Sequence, residues 1–369
     1  MSAHVDRRLF MFGTAACLAD LMLFRPAYGQ TLQPGALVPT IDSLSIKVLM
    51  DSSHDIFLRA PAPKAVTITR FNWAAAFPKN LHNQWGLSLA LESKASGDAR
   101  RVLLDFGYQP EELLANIELL GVDPAKFDAI VLSHGHFDHF GGLVGFLQKY
   151  RTGMRPDLIL YVGGEDNFCD RKIPTATPGH FTDFGHLDRK EVSAQHVNIV
   201  SCEKPTIIAG QAFTTGTIAR SGFEKRQPGP LVVYGKQGEF GCDASAFPGR
   251  ETGKPIPDDH INEHATCFNL KDKGLVVITS CGHVGIINTI RQAMDVSGIK
   301  KLHALIGGFH LAIVDDDYLK QSIAELKALN PDVVIPMHCS GTNFIQAMRE
   351  QMPDRLALST TGTEFLLGA

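Results

Sequence analysis

Apolar and polar residues follow two different periods along the chain, and together they predict an α/β protein. Short apolar or alternating runs predict strands, and they cover residues 45–50, 87–92, 101–106, 129–132, 158–162, 231–234, 265–270, 274–279, 304–307, 333–336, 356–358 and 364–367. Longer runs with helical spacing predict helices, over 111–120, 142–150, 285–294, 318–328 and 342–351. Both halves start with a strand pair and continue with strand–helix units, which indicates two packed sheets with helices outside.

The regular pattern predicts one domain over residues 45–369, preceded by a Pro/Gly/Thr-rich linker at 30–44. Within that domain, residues of about 151–260 carry many Gly, Pro, Phe and His and few clear periods. A long irregular insertion of this kind is usually functional. We therefore expect it to form a lid or a wall of the substrate pocket.

Residues 1–29 resemble a twin-arginine export signal. Arg7 and Arg8 precede a mostly apolar run at 9–24, and small residues surround Gly29. The run is shorter than the ~20 apolar residues of a membrane span, so we expect no stable membrane anchor. This interpretation predicts the twin-arginine export machinery as a partner and a periplasmic or secreted protein. Asp20 interrupts the run, and the alternative is a cytoplasmic protein with an N-terminal helix.

The composition is that of a globular protein and argues against several function classes. Of 369 residues, 44% are hydrophobic and 20% are charged, which excludes a disordered chain. The net charge of −4 gives no reason to expect nucleic acid as a partner. None of the 7 cysteines forms a C-x-x-C pair, so a zinc ribbon is excluded. Disulfides and buried thiols both remain open for them.

The strongest chemical signal is a cluster of metal-ligand side chains directly after the predicted strand at 129–132. Residues 133–139 read Ser-His-Gly-His-Phe-Asp-His. His134 and His136 are two residues apart, so on extended backbone both imidazoles point to one side. Asp138 and His139 follow in the turn. Imidazole and carboxylate ligands suit zinc, iron or manganese, and crowded histidines repel each other unless a metal replaces their protons.

The H-x-H-x-D-H motif after a strand resembles the signature of the metallo-β-lactamase-fold superfamily. The resemblance implies a four-layer αββα sandwich with one or two divalent metal ions at its edge. It also implies that His134 and His136 bind the first metal, and that Asp138 and His139 bind the second. Zinc is the first expectation, with iron and manganese as alternatives.

Four more stretches resemble one branch of that superfamily, at 104–107, 277–286, 306–311 and 335–341. The branch is the 7,8-dihydropterin-6-yl-methyl-4-(β-D-ribofuranosyl)aminobenzene 5′-phosphate synthases, also called metal-dependent hydrolases of the β-lactamase superfamily II. The resemblance implies that His283 is the third ligand of the first metal and His338 the last ligand of the second. His310 stands where many members have a bridging aspartate, so it either binds the second metal or orients substrate. Asp105 is expected to support the metal loop by hydrogen bonds.

The remaining candidates are weaker. Other histidines are scattered and are expected at the surface or in loops, namely His82, His180, His186, His260 and His264. Residues 84–88 read Gln-Trp-Gly-Leu-Ser where this family commonly has Glu-His-Gly-Leu-Ser, which leaves the family's substrate contacts in question. Cys281 and Cys339 both neighbour expected ligands, so they are expected close together as thiols or as a disulfide.

These observations predict an exported metal-dependent hydrolase that uses a metal-bound hydroxide on a small-molecule ester, lactone or phosphoester. Asp138 is the expected catalytic acid–base group. The first alternative is a transferase like the dihydropterin-ribofuranosylaminobenzene phosphate synthases. The second is a non-catalytic metal-dependent binding or sensor protein.

Overall fold

The computed structural model describes residues 29–32, 37–237 and 240–368. The export signal predicted at 1–29 lies outside these residues, apart from Gly29. Within the described part, no helix is both long enough and apolar enough to cross a bilayer.

Strands and helices alternate in parts of the chain, whereas the described residues of 198–279 form strands with no α-helix between them. The strands are β1 (Thr40–Ile41), β2 (Ser43–Met50), β3 (Thr67–Thr69), β4 (Ser88–Ala95), β5 (Asp98–Leu104), β6 (Ala129–Leu132), β7 (Ile159–Val162), β8 (Asp170–Pro174), β9 (Phe181–Asp183), β10 (Asn198–Ser201), β11 (Ile207–Ile208), β12 (Ala212–Thr214), β13 (Leu231–Val233), β14 (Lys236–Gln237), β15 (Phe240–Gly241), β16 (Ile256–Pro257), β17 (Thr266–Leu270), β18 (Gly274–Thr279), β19 (Leu302–Gly308), β20 (Val333–Met337) and β21 (Glu364–Leu367). The helices are α1 (Trp73–Ala76), α2 (Pro110–Leu119), α3 (Phe137–Phe140), α4 (Leu143–Tyr150), α5 (Arg189–Ala194), α6 (Ile286–Ser297), α7 (Asp316–Leu329) and α8 (Thr342–Gln351).

Two large mixed sheets form the centre of the fold. The N-terminal sheet has the strand order β10-β7-β6-β5-β4-β2-β21-β3. The C-terminal sheet has the order β11-β12-β17-β18-β19-β20, and β1 also pairs with β17. Strands β5, β6 and β7 run parallel to one another, as do β18, β19 and β20. Their carboxyl ends are where an α/β fold places its ligands.

Successive side chains of each sheet point in turn to the core between the two sheets and to the core under the helices outside that sheet, which gives the fold its layers. On β6, Ala129 and Val131 face the core between the sheets, whereas Ile130 and Leu132 face the core under α2 and α4. On β18, Val276 and Ile278 share the core between the sheets. The intervening residues of β18 face the core under α6, α7 and α8. The predicted four-layer αββα sandwich is therefore confirmed.

Most predicted elements are present, with shifted ends. Strands β6, β18 and β21 and helix α8 have the predicted bounds, and α6 continues to Ser297, beyond its predicted end at 294. The predicted strand at 356–358 is wrong, because Leu356 makes only an isolated bridge to Val334. The predicted linker at 30–44 already carries β1 and the start of β2, since both strands pair with later parts of the chain.

The predicted insertion at about 151–260 contains more regular structure than its composition indicates. It supplies β7 and β10 to the N-terminal sheet, and β11 and β12 to the C-terminal sheet. It also forms a small separate sheet in the order β16-β13-β8-β9. A disulfide joins Cys169 and Cys242 within this segment, a pairing that the sequence left open.

Candidate metal centre

All seven predicted ligands meet at one edge of the sandwich, because each follows the carboxyl end of a parallel strand. His134 and His136 follow β6, and the short helix α3 carries Asp138 and His139. The other three follow strands of the C-terminal sheet, with His283 after β18, His310 after β19 and His338 after β20.

Gly135 between the first two histidines is required by close packing. A Cβ at this position would lie 2.5 Å from the Arg171 guanidinium and 2.7 Å from the carbonyl oxygen of Asn167. Atoms at these distances overlap, and both belong to rigid, buried surroundings. The motif therefore needs glycine between His134 and His136, because the backbone at this position packs directly against Asn167 and Arg171 of the inserted segment.

The first group of imidazoles contains His134, His136 and His283. The Nε2 atoms of His134 and His283 are 3.2 Å apart. The ring centroid of His136 lies 4.6 Å from that of His134 and 4.7 Å from that of His283. All three side chains are buried.

The second group contains Asp138, His139 and His338. The Oδ2 atom of Asp138 lies 3.3 Å from Nε2 of His338 and 3.7 Å from Nε2 of His139. The Sγ atom of Cys281 lies 3.2 Å from the same Nε2 of His139. The ring of His134 is 4.3 Å from that of His139, so the two groups are in contact.

The donor set fits divalent metal ions of the zinc type. With Zn–N distances of about 2.0–2.1 Å, two nitrogens of a tetrahedral site are roughly 3.3 Å apart, which agrees with the 3.2 Å between His134 and His283. Among the described residues, Nε2 of His136 and Nε2 of His338 are buried without a hydrogen bond. Buried polar atoms are normally paired, so these atoms fit a site whose partner is an ion.

The electrostatics of the two groups differ. Burial, together with the charges of neighbouring histidines, holds the pKa of His134 and of His283 well below the usual value. Their imidazoles are therefore neutral near pH 7 and keep a lone pair for a metal. Burial disfavours the charged form of His338, but the Cys339 sulfur and the carboxylate of Asp138 raise its pKa to about 9. The second group thus favours a positive charge at its centre.

Asp105 connects the metal loop to the N-terminal sheet. Its Oδ1 accepts the Ser133 N–H at 2.8 Å, and its Oδ2 accepts the Ser133 hydroxyl at 2.7 Å. The same Oδ2 accepts the Nδ1–H of His139 at 2.7 Å. This bond leaves Nε2 of His139 facing the cluster. The structure thus places Asp105 in the hydrogen-bonding position that the resemblance implies.

Two buried glutamates hold the backbone around His283, and neither was recognised in the sequence. Glu263 accepts the N–H groups of His283 at 3.1 Å and Val284 at 2.9 Å. Glu224 accepts two N–H groups at the start of α6, at 3.0 and 2.7 Å. A carboxylate at a helix N-terminus is favourable. The only signal was an acid in an irregular segment, which periodicity cannot interpret.

Asp51 has the same role for His338 and was also missed. It directly follows β2, and its Oδ1 accepts the His338 N–H at 2.8 Å. Asp51 is buried. Two neighbouring sheets are therefore joined at the ligand loop itself.

His260 and His264 lie outside strands and helices, as expected for loop residues, but neither is at the surface. His260 is buried and stacks on His283, with ring centroids 3.9 Å apart. His264 is buried behind the metal loop and contacts the Leu132 carbonyl oxygen through Nε2 at 2.9 Å. Neither residue has neighbours in sequence that form a motif, so tertiary structure alone reveals them.

His260 is held by a buried ionic network of the inserted segment. Its N–H donates to Oδ1 of Asp258 at 2.7 Å, and Oδ2 of Asp258 lies 3.6 Å from Nε2 of His136. Arg171 donates to Asp258 at 2.8 Å and to Asp166 at 2.9 Å. Because Arg171 is fully buried, it needs both carboxylates. The insertion thus forms one wall of the site.

Three histidines of the cluster have left-handed backbone conformations, with φ of 50° for His260 and His310 and 48° for His338. Such conformations are uncommon for residues other than glycine and concentrate at functional sites. The ring of His310 lies 4.2 Å from that of His283. His310 is thus within the cluster, beside the first group of imidazoles.

The other three histidines that were expected at the surface or in loops lie outside the cluster. His82 and His180 are exposed, and half-buried His186 contacts Asp170 at 3.2 Å. Cys281 and Cys339 are neighbours, as predicted, with their sulfurs 3.4 Å apart as thiols.

Two aromatic side chains stand beside the cluster. The Trp85 ring is 5.0 Å from the His338 ring and is 56% exposed. The Phe184 ring is 5.6 Å from the His136 ring and is half-buried. Trp85 belongs to the segment at 84–88, where the sequence departs from the pattern of the family it resembles. An apolar group entering the site would meet these rings.

Comparison with known proteins agrees with the fold and the motif. The sequence profile of the metallo-beta-lactamase superfamily matches residues 91–154, which include the ligands after β6. A 7,8-dihydropterin-6-methyl-4-(beta-D-ribofuranosyl)-aminobenzene-5′-phosphate synthase of Methanocaldococcus jannaschii is 28% identical over 277 residues, covering 72% of this chain and 84% of that protein. An uncharacterized protein of the same organism is 28% identical over 265 residues, covering 71% and 86%.

A solved structure has a similar fold over most of the chain. It is described as a metal-dependent hydrolase of the beta-lactamase superfamily, and it superposes with a TM-score of 0.61 at 20% identity. The match covers 87% of this chain and 98% of that one. At this identity the likeness concerns the fold alone.

Proposed function

We propose that this chain, a member of the metallo-β-lactamase superfamily, is a metal-dependent hydrolase of a small-molecule ester, lactone or phosphoester. The observation that carries the proposal is the pair of adjoining ligand groups at one sheet edge. His134, His136 and His283 would hold one divalent ion, and Asp138, His139 and His338 would hold a second.

Bound divalent ions would supply a water of lowered pKa and polarise the electrophilic atom of the substrate. The protein supplies orientation and proton transfer. Oδ2 of Asp138 faces His139 and His338, whereas Oδ1 has no hydrogen-bond partner among the described residues. Oδ1 is therefore free to accept a proton from the attacking water, and no serine or cysteine nucleophile is needed.

A transferase is the second candidate, and sequence similarity favours it. The synthase of Methanocaldococcus jannaschii matches 72% of this chain at 28% identity. At this identity the activity does not transfer with the name, particularly since residues 84–88 depart from the family's usual sequence. The two activities differ in their products, so they are separable by direct assay.

The first test measures metal content by elemental mass spectrometry on full-length protein purified without chelator. We expect one or two equivalents of zinc, iron or manganese. The metal-loaded protein is then assayed against panels of esters, lactones and phosphoesters, and in parallel for the dihydropterin–aminobenzene product. Hydrolysis that stops when a chelator removes the metal would support the proposal.

Matched variants connect the activity to this site. His134→Ala should lose metal and turnover while keeping the fold, because the removed ring only faces the cluster. His180→Ala is the control, since His180 is exposed and lies outside the cluster. Turnover by His134→Ala at the wild-type rate would contradict the site. Formation of the synthase product without hydrolysis would establish the transferase instead.

A further inference from the structure

Cys281 lies between the two ligand groups, in a position unlike that of an ordinary buried cysteine. It is 3% exposed and comes two residues before His283. Its Sγ lies within 4.8 Å of the ligand nitrogens of His134 and His283, and also within that distance of those of His139 and His338. One sulfur atom therefore reaches both groups.

The surroundings of this sulfur are polar. Cys202 and Cys267, two other buried thiols, belong to apolar cores of the sandwich. Cys281 instead lies 3.2 Å from Nε2 of His139. A thiol is a weak hydrogen-bond donor, and packing alone gives no reason to surround it with imidazole nitrogens. Soft thiolate together with imidazole is a donor set that zinc and iron prefer.

Cys339 occupies a supporting position behind Cys281. Its Sγ is 3.4 Å from the Cys281 sulfur and 3.5 Å from the Cys281 carbonyl oxygen, so the thiol of Cys339 has acceptors within the protein. A Cβ on Gly308 would approach this sulfur to 2.9 Å, so Gly308 leaves it room. Cys339 shares a ligand group with His310 and Cys281, and not with the first group of imidazoles.

Two divalent ions bound by these groups would need negatively charged ligands to balance their charge. Two divalent ions bring four positive charges, and the proposed ligands include one carboxylate, that of Asp138. At the position after β19 this chain has His310 rather than an acid, and its ring lies 4.2 Å from that of His283. A second anionic ligand beside Asp138 would reduce the repulsion between the ions.

We propose that Cys281 would serve as a thiolate ligand of the metal centre, since its sulfur is within reach of the ligand atoms of both groups. The inference rests on the proposed function, since it supposes that the cluster binds metal. On binding, the Sγ–H bond of Cys281 breaks, its proton passes to solvent, and its electron pair forms the sulfur–metal bond. No oxidant or reductant takes part.

Cobalt(II) is the probe, because a thiolate bound to cobalt(II) gives an intense near-ultraviolet charge-transfer band that imidazole and carboxylate ligands lack. Full-length protein is freed of metal, loaded with cobalt(II) and compared with Cys281→Ser and Cys339→Ser. We expect the band in wild type, its loss in Cys281→Ser and its persistence in Cys339→Ser. A band that survives in Cys281→Ser, or that is lost only in Cys339→Ser, would overturn the assignment.

A second measurement covers the case in which Cys281→Ser does not fold. X-ray absorption at the zinc edge of wild type should show sulfur at about 2.3 Å from the metal, and the same sulfur should remain in Cys339→Ser. Zinc bound by nitrogen and oxygen alone would overturn the inference while leaving the proposed hydrolase intact. A chain that takes up no metal would overturn both.

Discussion

Asp105 offers a sharp test of how the protein orients its ligands. Its carboxylate accepts two hydrogen bonds from Ser133 and one from His139, all between 2.7 and 2.8 Å. Replacing it with alanine would leave up to three buried donors without an acceptor, at about 1–3 kcal/mol each. The Ser133 hydroxyl could still turn to Nδ1 of His134, 2.9 Å away. A loss of roughly 2–6 kcal/mol then remains, against a typical stability of about 5–15 kcal/mol.

Asp105→Asn is the better variant, because it preserves shape. Asparagine tolerates the left-handed backbone at this position, where φ is 57°. Its amide has one acceptor oxygen, so an NH₂ group must face a donor of either Ser133 or His139. We expect metal affinity to fall about 10–100-fold, which corresponds to about 1.4–2.8 kcal/mol. The fold should persist.

The assay is competition for zinc against a chelator of known affinity, with thermal unfolding of the metal-free protein as the measure of folding. Asp128→Asn is the matched control, since Asp128 also accepts a backbone N–H, from Arg101 at 2.9 Å, but lies outside the cluster. If Asp105→Asn binds zinc as tightly as wild type, the carboxylate does not orient His139 and the reasoning is refuted.

Two further predictions concern the mouth of the site and the N-terminus. Trp85→Ala should raise KM several-fold with little change in kcat, because the ring beside His338 would contact the substrate but not its reacting atoms. Trp85→Phe should restore KM. An unchanged KM on every substrate found would exclude that contact. We also propose that residues 1–29 direct export, so Arg7→Lys with Arg8→Lys should retain the protein in the cytoplasm, as cell fractionation would show; continued appearance in the periplasm would contradict the twin-arginine signal.

Periodicity predicted two packed sheets with helices outside, and the resemblance carried by the motifs implied the four-layer sandwich and the seven ligand positions. The strands β6 and β18 have the predicted bounds because each is a short apolar run ended by a turn, and its length matches the core that it crosses. His134 comes two residues after the end of β6, and His283 comes four residues after the end of β18. A residue that closely follows a buried parallel strand must lie near the carboxyl-end edge of the sheet, so its place in the sequence determines its place in the fold.

The residues that hold the ligands could not be predicted in the same way. Glu263, His260 and Asp258 come from a segment with no sustained period, and their roles depend on how the inserted sheet packs against the edge of the sandwich. Each is an ordinary polar residue until its contact with a distant part of the chain is known, such as that of Glu263 or His260 with His283 and that of Asp258 with Arg171. Glu224, for example, receives N–H groups that lie about sixty residues further along the chain.

The position of β21 has a consequence for how the protein is made. Glu364–Leu367 pairs with β2 on one side and β3 on the other, so the sheet formed by the first half of the chain receives an interior strand from residues near the carboxyl end of the sequence. Such distant pairing is slow to form and cannot begin before residues 364–367 have been synthesised. The ligand after β20 is also translated late. Complete metal uptake should therefore follow synthesis of β20 and β21 and should not occur on the first half of the chain alone.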